Sequence, residues 1–222
     1  MVALRRQQLV HVSDAGWSVV SARPWDDVAR ACLDHWAAQR LPLVVTRQAA
    51  DPSEGLLALG LPAPLQWQRR RLALRLPLSS VLDVDDFPTA DSIVDLLPAP
   101  MHRAWLGVVG TLVDLGAAPR VHGSFGWQRL TGLHYLHAGS DIDLCLSASG
   151  AAMADAIVAV LQRAPCATPR LDGELVFPDG SAVAWREWLQ WRARRVDRIL
   201  VKRLHGVAME AEDAWLGECL PC

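Results

Sequence analysis

Apolar and polar positions follow distinct periods along the chain. In residues 26–39, Val28, Cys32 and Trp36 recur at fourfold spacing, which predicts a short amphipathic helix. Residues 41–46 read as a strand. Residues 56–64 are small, apolar and rich in glycine and proline, and predict a packed loop. Residues 70–76 alternate polar with apolar side chains, as a half-buried strand does. Further on, residues 101–115 are apolar over a helical length and predict a buried helix. Residues 123–139 are irregular and glycine-rich. Residues 140–146 alternate strictly and predict a strand, and residues 150–163 predict a helix that ends before Pro165. Asp172-Gly173 and Pro178-Asp179-Gly180 are turn signals on either side of a short strand, 174–177. Residues 185–203 read as helical, at least in their first half.

The pattern breaks between these two sets. Residues 83–100 carry Asp83, Asp85, Asp86, Asp91 and Asp95 and three prolines, the composition of a solvated connection. The expected organisation is an N-terminal α+β domain over 1–82, this acidic connection, and a second domain over 101–222. The first domain by itself shows no chemistry.

Composition narrows the classes. The chain has 222 residues and is 51% hydrophobic, ample for a core and incompatible with wholesale disorder. Mean hydropathy is +0.15, yet charged residues interrupt every apolar stretch before it reaches bilayer length. Arg5 and Arg6 are followed by no apolar segment of the kind a secretory signal needs, so a cytoplasmic location is expected. Twenty-two basic residues against 24 acidic ones give a net charge of −2, which argues against a general nucleic-acid binder. Five scattered cysteines do not make a disulfide framework, and Cys219 and Cys222 read as thiols on a tail. Lys202 is the only lysine, in a chain that otherwise uses arginine. Arginine codon preference explains most of that bias, but a retained lysine also hints at a site.

The chemistry concentrates in residues 121–146. Gly123-Ser124 follows a predicted helix, and a glycine there lets backbone N–H groups approach a phosphate closely. Asp141 and Asp143 are two apart on a predicted strand, so their carboxylates share one face about 6–7 Å apart. Two carboxylates so placed repel each other unless a cation lies between them, and hard divalent ions with substrate phosphates fit that arrangement. Ile142, Leu144 and Leu146 require the other face to be buried. Either motif alone is common; their order, Gly-Ser and then a strand bearing D-x-D, is more specific.

That order resembles the nucleotidyltransferase superfamily. The longer string through Trp127, Thr131, Gly132, Tyr135 and Ser140 to Asp141 and Asp143 is similar to one branch, the malonate decarboxylase holo-[acyl carrier protein] synthases, or phosphoribosyl-dephospho-CoA transferases. Its characteristic feature is the extra Leu-Thr-Gly-x-x-Tyr-Leu segment between the two motifs. Residues 172–180, 182–188 and 199–202 fit the same pattern, and residues 41–45 and 59–64 fit more loosely. Thr46-Arg47 departs from the paired arginines expected there.

The resemblance implies an α+β fold whose second domain is of nucleotidyltransferase type, with a mixed sheet and helices. It also implies transfer of a phosphoribosyl-dephospho-CoA group from its triphosphoribosyl precursor to a serine of the decarboxylase acyl carrier subunit. Pyrophosphate would leave, and Mg²⁺ or Mn²⁺ would assist. Asp141 and Asp143 would be metal ligands, joined by a third carboxylate, Glu174 or alternatively Asp172. Gly123, Ser124, Thr131, Tyr135, Ser140, Arg186 and Lys202 would contact substrate. The basic run from Arg186 to Arg203 would meet triphosphate or an acidic carrier, unless it is simply a solvated face. Trp185, Trp188 and Trp191, three apart, read as a core stripe rather than an adenine platform. His122, His134 and His137 share no evident face and are not assigned as ligands. The competing readings are a different nucleotidyltransferase, for example one acting on the citrate lyase carrier, and a non-catalytic module, which would not require both motifs intact. Nucleic-acid and membrane partners are not expected, and oligomeric state, a homodimer included, is left open.

Overall fold

The computed structural model describes residues 4–49, 55–165 and 168–211. Contacts divide the chain into two compact units, one built from residues 1–87 with 131–135 and 204–206, the other from 88–130, 136–203 and 207–222. Cys166, Cys219 and Cys222 lie outside the described residues.

The first unit holds β1 (Leu9–Val12), α1 (Asp14–Ser21), α2 (Asp27–Ala38), β2 (Leu43–Val45), β3 (Leu56–Pro62), β4 (Arg71–Pro77) and β5 (Val81–Asp85). Its sheet runs β4-β3-β2-β1-β5, antiparallel throughout. Asp26 caps α2 by accepting from the Val28 and Ala29 amides, so the helix starts where its predicted face starts. Trp36, on that face, is fully buried.

Two expectations change here. Residues 56–62 are a strand, not a packed loop: Leu57, Leu59 and Leu61 alternate inward and pair along the whole of β4. Gly60 and Pro62 had suggested a loop, but Pro62 ends the strand, where its missing N–H costs nothing. The stretch 83–100 is not a free connection either. Asp83 and Asp85 sit on β5, while Ala90 and Ile93, in a 3₁₀ helix over Ala90–Leu96, are fully buried in the second unit. The acidic side chains that looked like a linker are outward positions, with Asp86 paired to Arg5 and Asp95 to Arg129.

The second unit holds α3 (His102–Asp114), β6 (Arg120–His122), α4 (Gly123–Thr131, its last residue counted with the first unit), β7 (Ile142–Ser147), α5 (Ala151–Arg163), β8 (Leu171–Val176), β9 (Ala182–Ala184), α6 (Trp185–Arg192), β10 (Ile199–Arg203) and β11 (Gly206–Glu210, its first residue likewise). The sheet order is β11-β10-β9-β8-β7-β6. It is mixed: β7 and β8 run parallel, and β6–β7, β8–β9 and β9–β10 are antiparallel. One face carries Val121, Ile142, Leu144, Leu146, Leu171, Leu175, Val183, Ile199 and Val201, all buried in a core with Trp105, Leu112, Ile157, Val158 and Trp188 from α3, α5 and α6. Strand geometry sends the intervening residues to the opposite face. The helix expected over 101–115 is buried on one side only, since Leu106 and Val113 are exposed. The helical reading of 185–203 holds to Arg192; the chain then turns, with Arg194 at φ 54°, and re-enters the sheet as β10.

Asp172-Gly173, read as a turn, lies inside β8. Gly173 pairs with Leu144 across the parallel ladder at φ 140°, and a Cβ there would meet the Leu144 carbonyl oxygen at 2.1 Å. The glycine is required by the closeness of two backbones rather than by a reversal. Gly173→Ala should therefore cost the second unit about 3–5 kcal/mol, in the range of forced backbone clashes. Gly107→Ala, exposed in the middle of α3 with open space around its Cα, should stabilise by about 0.5–1 kcal/mol. Urea melts of the two variants check the pair; equal effects would contradict the backbone argument.

Candidate active site

The outward face of the second sheet is polar and half-buried. On β7, Asp143 points to this face between Ile142 and Leu144, with Asp141 two residues before it. β8 adds Asp172, in register with Asp143, and Glu174, in register with Cys145. β6 adds His122, also in register with Asp143. β10 adds Lys202. The parallel β7–β8 pairing thus brings together three carboxylates from two short strands, with Asp141 immediately before β7.

Two basic side chains answer them. Arg170, immediately before β8, donates through Nη2 to Asp141 Oδ2 at 2.6 Å and to Asp172 Oδ2 at 3.3 Å. Lys202 Nζ donates to Glu174 Oε1 at 2.6 Å, a pair in which the side chains are only 27% and 11% exposed. Among the described residues, no lysine or arginine forms an ion pair with Asp143. Burial pushes the Asp143 carboxyl above its ordinary pKa; the charges of Asp172, Asp141 and Glu174 add to the push and His122 opposes it. Burial lowers the pKa of His122 against the pull of Asp143 and Glu174.

Gly123-Ser124 does not form an irregular loop. It is the first turn of α4, entered directly from β6, with Gly123 at φ 60°. The first-turn amides of such a helix lack intrahelical partners and favour an anion. A Cβ on Gly123 would lie 1.9 Å from Asp143 Oδ2, so the absent side chain is what admits the carboxylate beside the helix start. Ser124 is half-buried in the same turn. A helix N-terminus and an acid pair therefore stand together, a polarity suited to a phosphate with its accompanying cation.

Comparison with known sequences places the chain in a family. Residues 5–87 match the family model described as the phosphoribosyl-dephospho-CoA transferase MdcG N-terminal domain, and residues 84–213 match the corresponding C-terminal domain. The chain belongs to the phosphoribosyl-dephospho-CoA transferase family. It is 35% identical to the enzyme of that name from Xanthomonas campestris pv. campestris (strain 8004), over 80% of this chain and 82% of that one. The Pseudomonas putida (strain GB-1) relative is 35% identical over 92% and 95% of the two chains. The Xanthomonas axonopodis pv. citri (strain 306) relative is 35% identical over 85% of each. No solved structure matches. Like its family, this chain is a transferase, and among the described residues no helix is long and apolar enough to cross a membrane.

The remaining residues singled out from the sequence fall elsewhere. Tyr135 is buried in the first unit and its hydroxyl donates to the Pro62 carbonyl at 2.8 Å. Thr131, in that unit too, accepts from the Leu133 amide at 3.2 Å. Ser140 is buried and accepts from the His137 amide at 3.0 Å, shaping the approach to Asp141. Arg186 lies over the Trp185 ring at 4.3 Å and donates to the Leu171 carbonyl at 2.9 Å. It lines a cavity of about 280 Å³ with Leu161, Leu171 and Leu189. Leu171, Trp185 and Trp188 are core residues on the helix-covered face, so this cavity is not on the carboxylate side. His134 and His137 are exposed. Arg170 was missed, although Arg170 and Asp172 are two apart; reading Asp172-Gly173 as a turn concealed that shared face.

Glu174 is committed to Lys202, and among the described residues no three His, Cys, Asp or Glu side chains converge into a ready metal cage. Mg²⁺ does not need one: it keeps several waters and takes one or two carboxylates plus substrate phosphates. Asp141 and Asp143, beside a helix start suited to phosphate, fit that donor set.

The raised pKa of Asp143 has a testable sign. The folded state holds its proton more tightly than the unfolded chain does, so the associated stability is present at low pH and lost as pH rises through the folded value. Asp143→Asn should raise Tm at pH 8 by about 2–4 °C, the shift of about 1 kcal/mol in a chain this size, and by less at pH 4. Thermal melts at both values check it; a variant that melts lower than the parent at pH 8 would contradict the crowding.

Proposed function

We propose that the enzyme transfers the phosphoribosyl-dephospho-CoA group from triphosphoribosyl-dephospho-CoA to a serine of the malonate decarboxylase acyl carrier subunit. The observation that carries this reading is the carboxylate face of the second sheet, set beside the Gly123-Ser124 helix start, in a chain of this family. The serine oxygen attacks the α-phosphorus of the donor. A phosphorus–oxygen bond forms, the bond to the β-phosphate breaks, and pyrophosphate departs while the serine proton is released. Both reacting groups belong to the substrates, so the protein needs to supply position and charge rather than a nucleophile.

The residues divide that work. Amides of the α4 first turn and the Ser124 hydroxyl receive phosphate oxygens. Asp141 and Asp143 would hold Mg²⁺, which would supply charge stabilisation at the transferring phosphate. Glu174 is paired with Lys202, which offsets part of the charge that Glu174 adds to this face. The α4 amides are fixed in place before reaction, so they meet the charge that develops on the departing pyrophosphate without reorganising.

The test is intact mass of the apo carrier subunits of malonate decarboxylase and of citrate lyase, incubated with enzyme, donor and Mg²⁺. The malonate decarboxylase subunit should gain the mass of the donor less pyrophosphate. Asp141→Asn and Asp143→Asn should each slow that gain by about a hundredfold or more. Parent-like rates for either variant would refute the role of that carboxylate; modification of the citrate lyase carrier alone would move the acceptor assignment.

A further inference from the structure

We propose that Arg170 is an exchangeable counter-ion: it neutralises Asp141 and Asp172 in the resting enzyme and turns to the donor's pyrophosphate end when a divalent cation takes Asp141. The inference rests on the metal and phosphate reading given above and assigns a residue that the motifs do not contain.

The two basic groups of the site differ in how firmly they are held. The Lys202–Glu174 pair is largely enclosed, with 27% and 11% of the side chains exposed. The Arg170 side chain is 57% exposed, and its partners Asp141 and Asp172 are 31% and 33% exposed. Exposed ion pairs are weak and exchange readily, whereas enclosed ones do not. Arg170 uses one nitrogen, Nη2, for both carboxylates. A guanidinium has five N–H donors, so most of its capacity is turned to solvent at the edge of the carboxylate surface.

The backbone at this position does not need the side chain. The Arg170 carbonyl accepts from the Ile142 amide at 2.9 Å, which continues the β7–β8 ladder whatever residue stands at 170. The side chain is therefore spare for function. Its chemistry is directional: a planar fork matches two oxygens of a phosphate better than an ammonium does. It also has a fixed antagonist, because a cation bound at Asp141 and the guanidinium on Asp141 Oδ2 cannot both be accommodated without repulsion.

Competition makes two predictions of opposite sign. Arg170→Ala should bind Mn²⁺ about two- to fivefold more tightly in the absence of donor, since an exposed competing charge has been removed. The same variant should bind pyrophosphate with Mg²⁺ about tenfold more weakly, having lost a charge-assisted contact. Arg170→Lys, which keeps the charge but not the fork, should bind Mn²⁺ like the parent and recover pyrophosphate affinity only partly. The measurements are Mn²⁺ titration by electron paramagnetic resonance and pyrophosphate titration by calorimetry. Should Arg170→Ala be poorly folded, Arg170→Gln carries the same comparison with a polar side chain in place. A purely structural arginine would weaken both constants together, and an idle one would leave both unchanged; either result overturns the proposal while leaving the metal reading intact. Mn²⁺ binding that is absent in the parent, or indifferent to Asp143→Asn, overturns both.

Discussion

Charge on one sheet face sets the terms for the second unit. Four carboxylates, Asp141, Asp143, Asp172 and Glu174, are met by two basic side chains, Arg170 and Lys202, which leaves a formal surplus of two negative charges among the described residues. The unpaired part of that charge opposes folding. It is tolerated because the reverse face of the same strands buries Ile142, Leu144, Leu146, Leu171, Leu175 and Val201 under three helices. Apolar burial of that extent easily outweighs a few partly exposed repulsions. The alternation of a strand links the two: the residues driven inward at Ile142, Leu144, Leu171 and Leu175 leave Asp143, Asp172 and Glu174 facing outward.

The close β7–β8 pairing makes the charge dense. Parallel neighbours in register place Asp172 against Asp143, and Gly173 lets the two backbones approach without a side chain between them. Gly123 does the same on the other flank, admitting Asp143 beside the first turn of α4. Two glycines thus compress acids and a helix N-terminus into one surface. On the proposed reading, such a surface suits a polyanion that brings a cation with it, since either ligand alone meets repulsion from part of the groups present.

Much of this was legible in the sequence. The strict alternation around Asp141 and Asp143 shows which side chains share a face, and the Gly-Ser pair marks a special backbone position, though as the first turn of a helix rather than a loop. Residues whose role depends on pairing were less visible. Asp172-Gly173 has the composition of a turn, and only the neighbouring strand makes the glycine a point of close approach; with it went Arg170. Likewise Leu57, Leu59 and Leu61 look loop-like beside Gly60 and Pro62 until β4 supplies their partner. The acidic residues 83–100 show the same limit, because charge on the outside of a strand or 3₁₀ helix is indistinguishable, in one dimension, from charge on a linker. Tyr135 belongs to the segment between the Gly-Ser and D-x-D motifs, and its ring is buried with its hydroxyl bonded to the Pro62 carbonyl.

The central claim is that the surplus of carboxylate over basic charge is matched by a divalent cation arriving with phosphate. The most direct measurement is anomalous scattering from crystals grown with Mn²⁺ and pyrophosphate. The account predicts a manganese peak bonded to Asp141 and Asp143 and to pyrophosphate oxygens, at the start of α4. Pyrophosphate bound there without manganese, or manganese held by other residues, would contradict it.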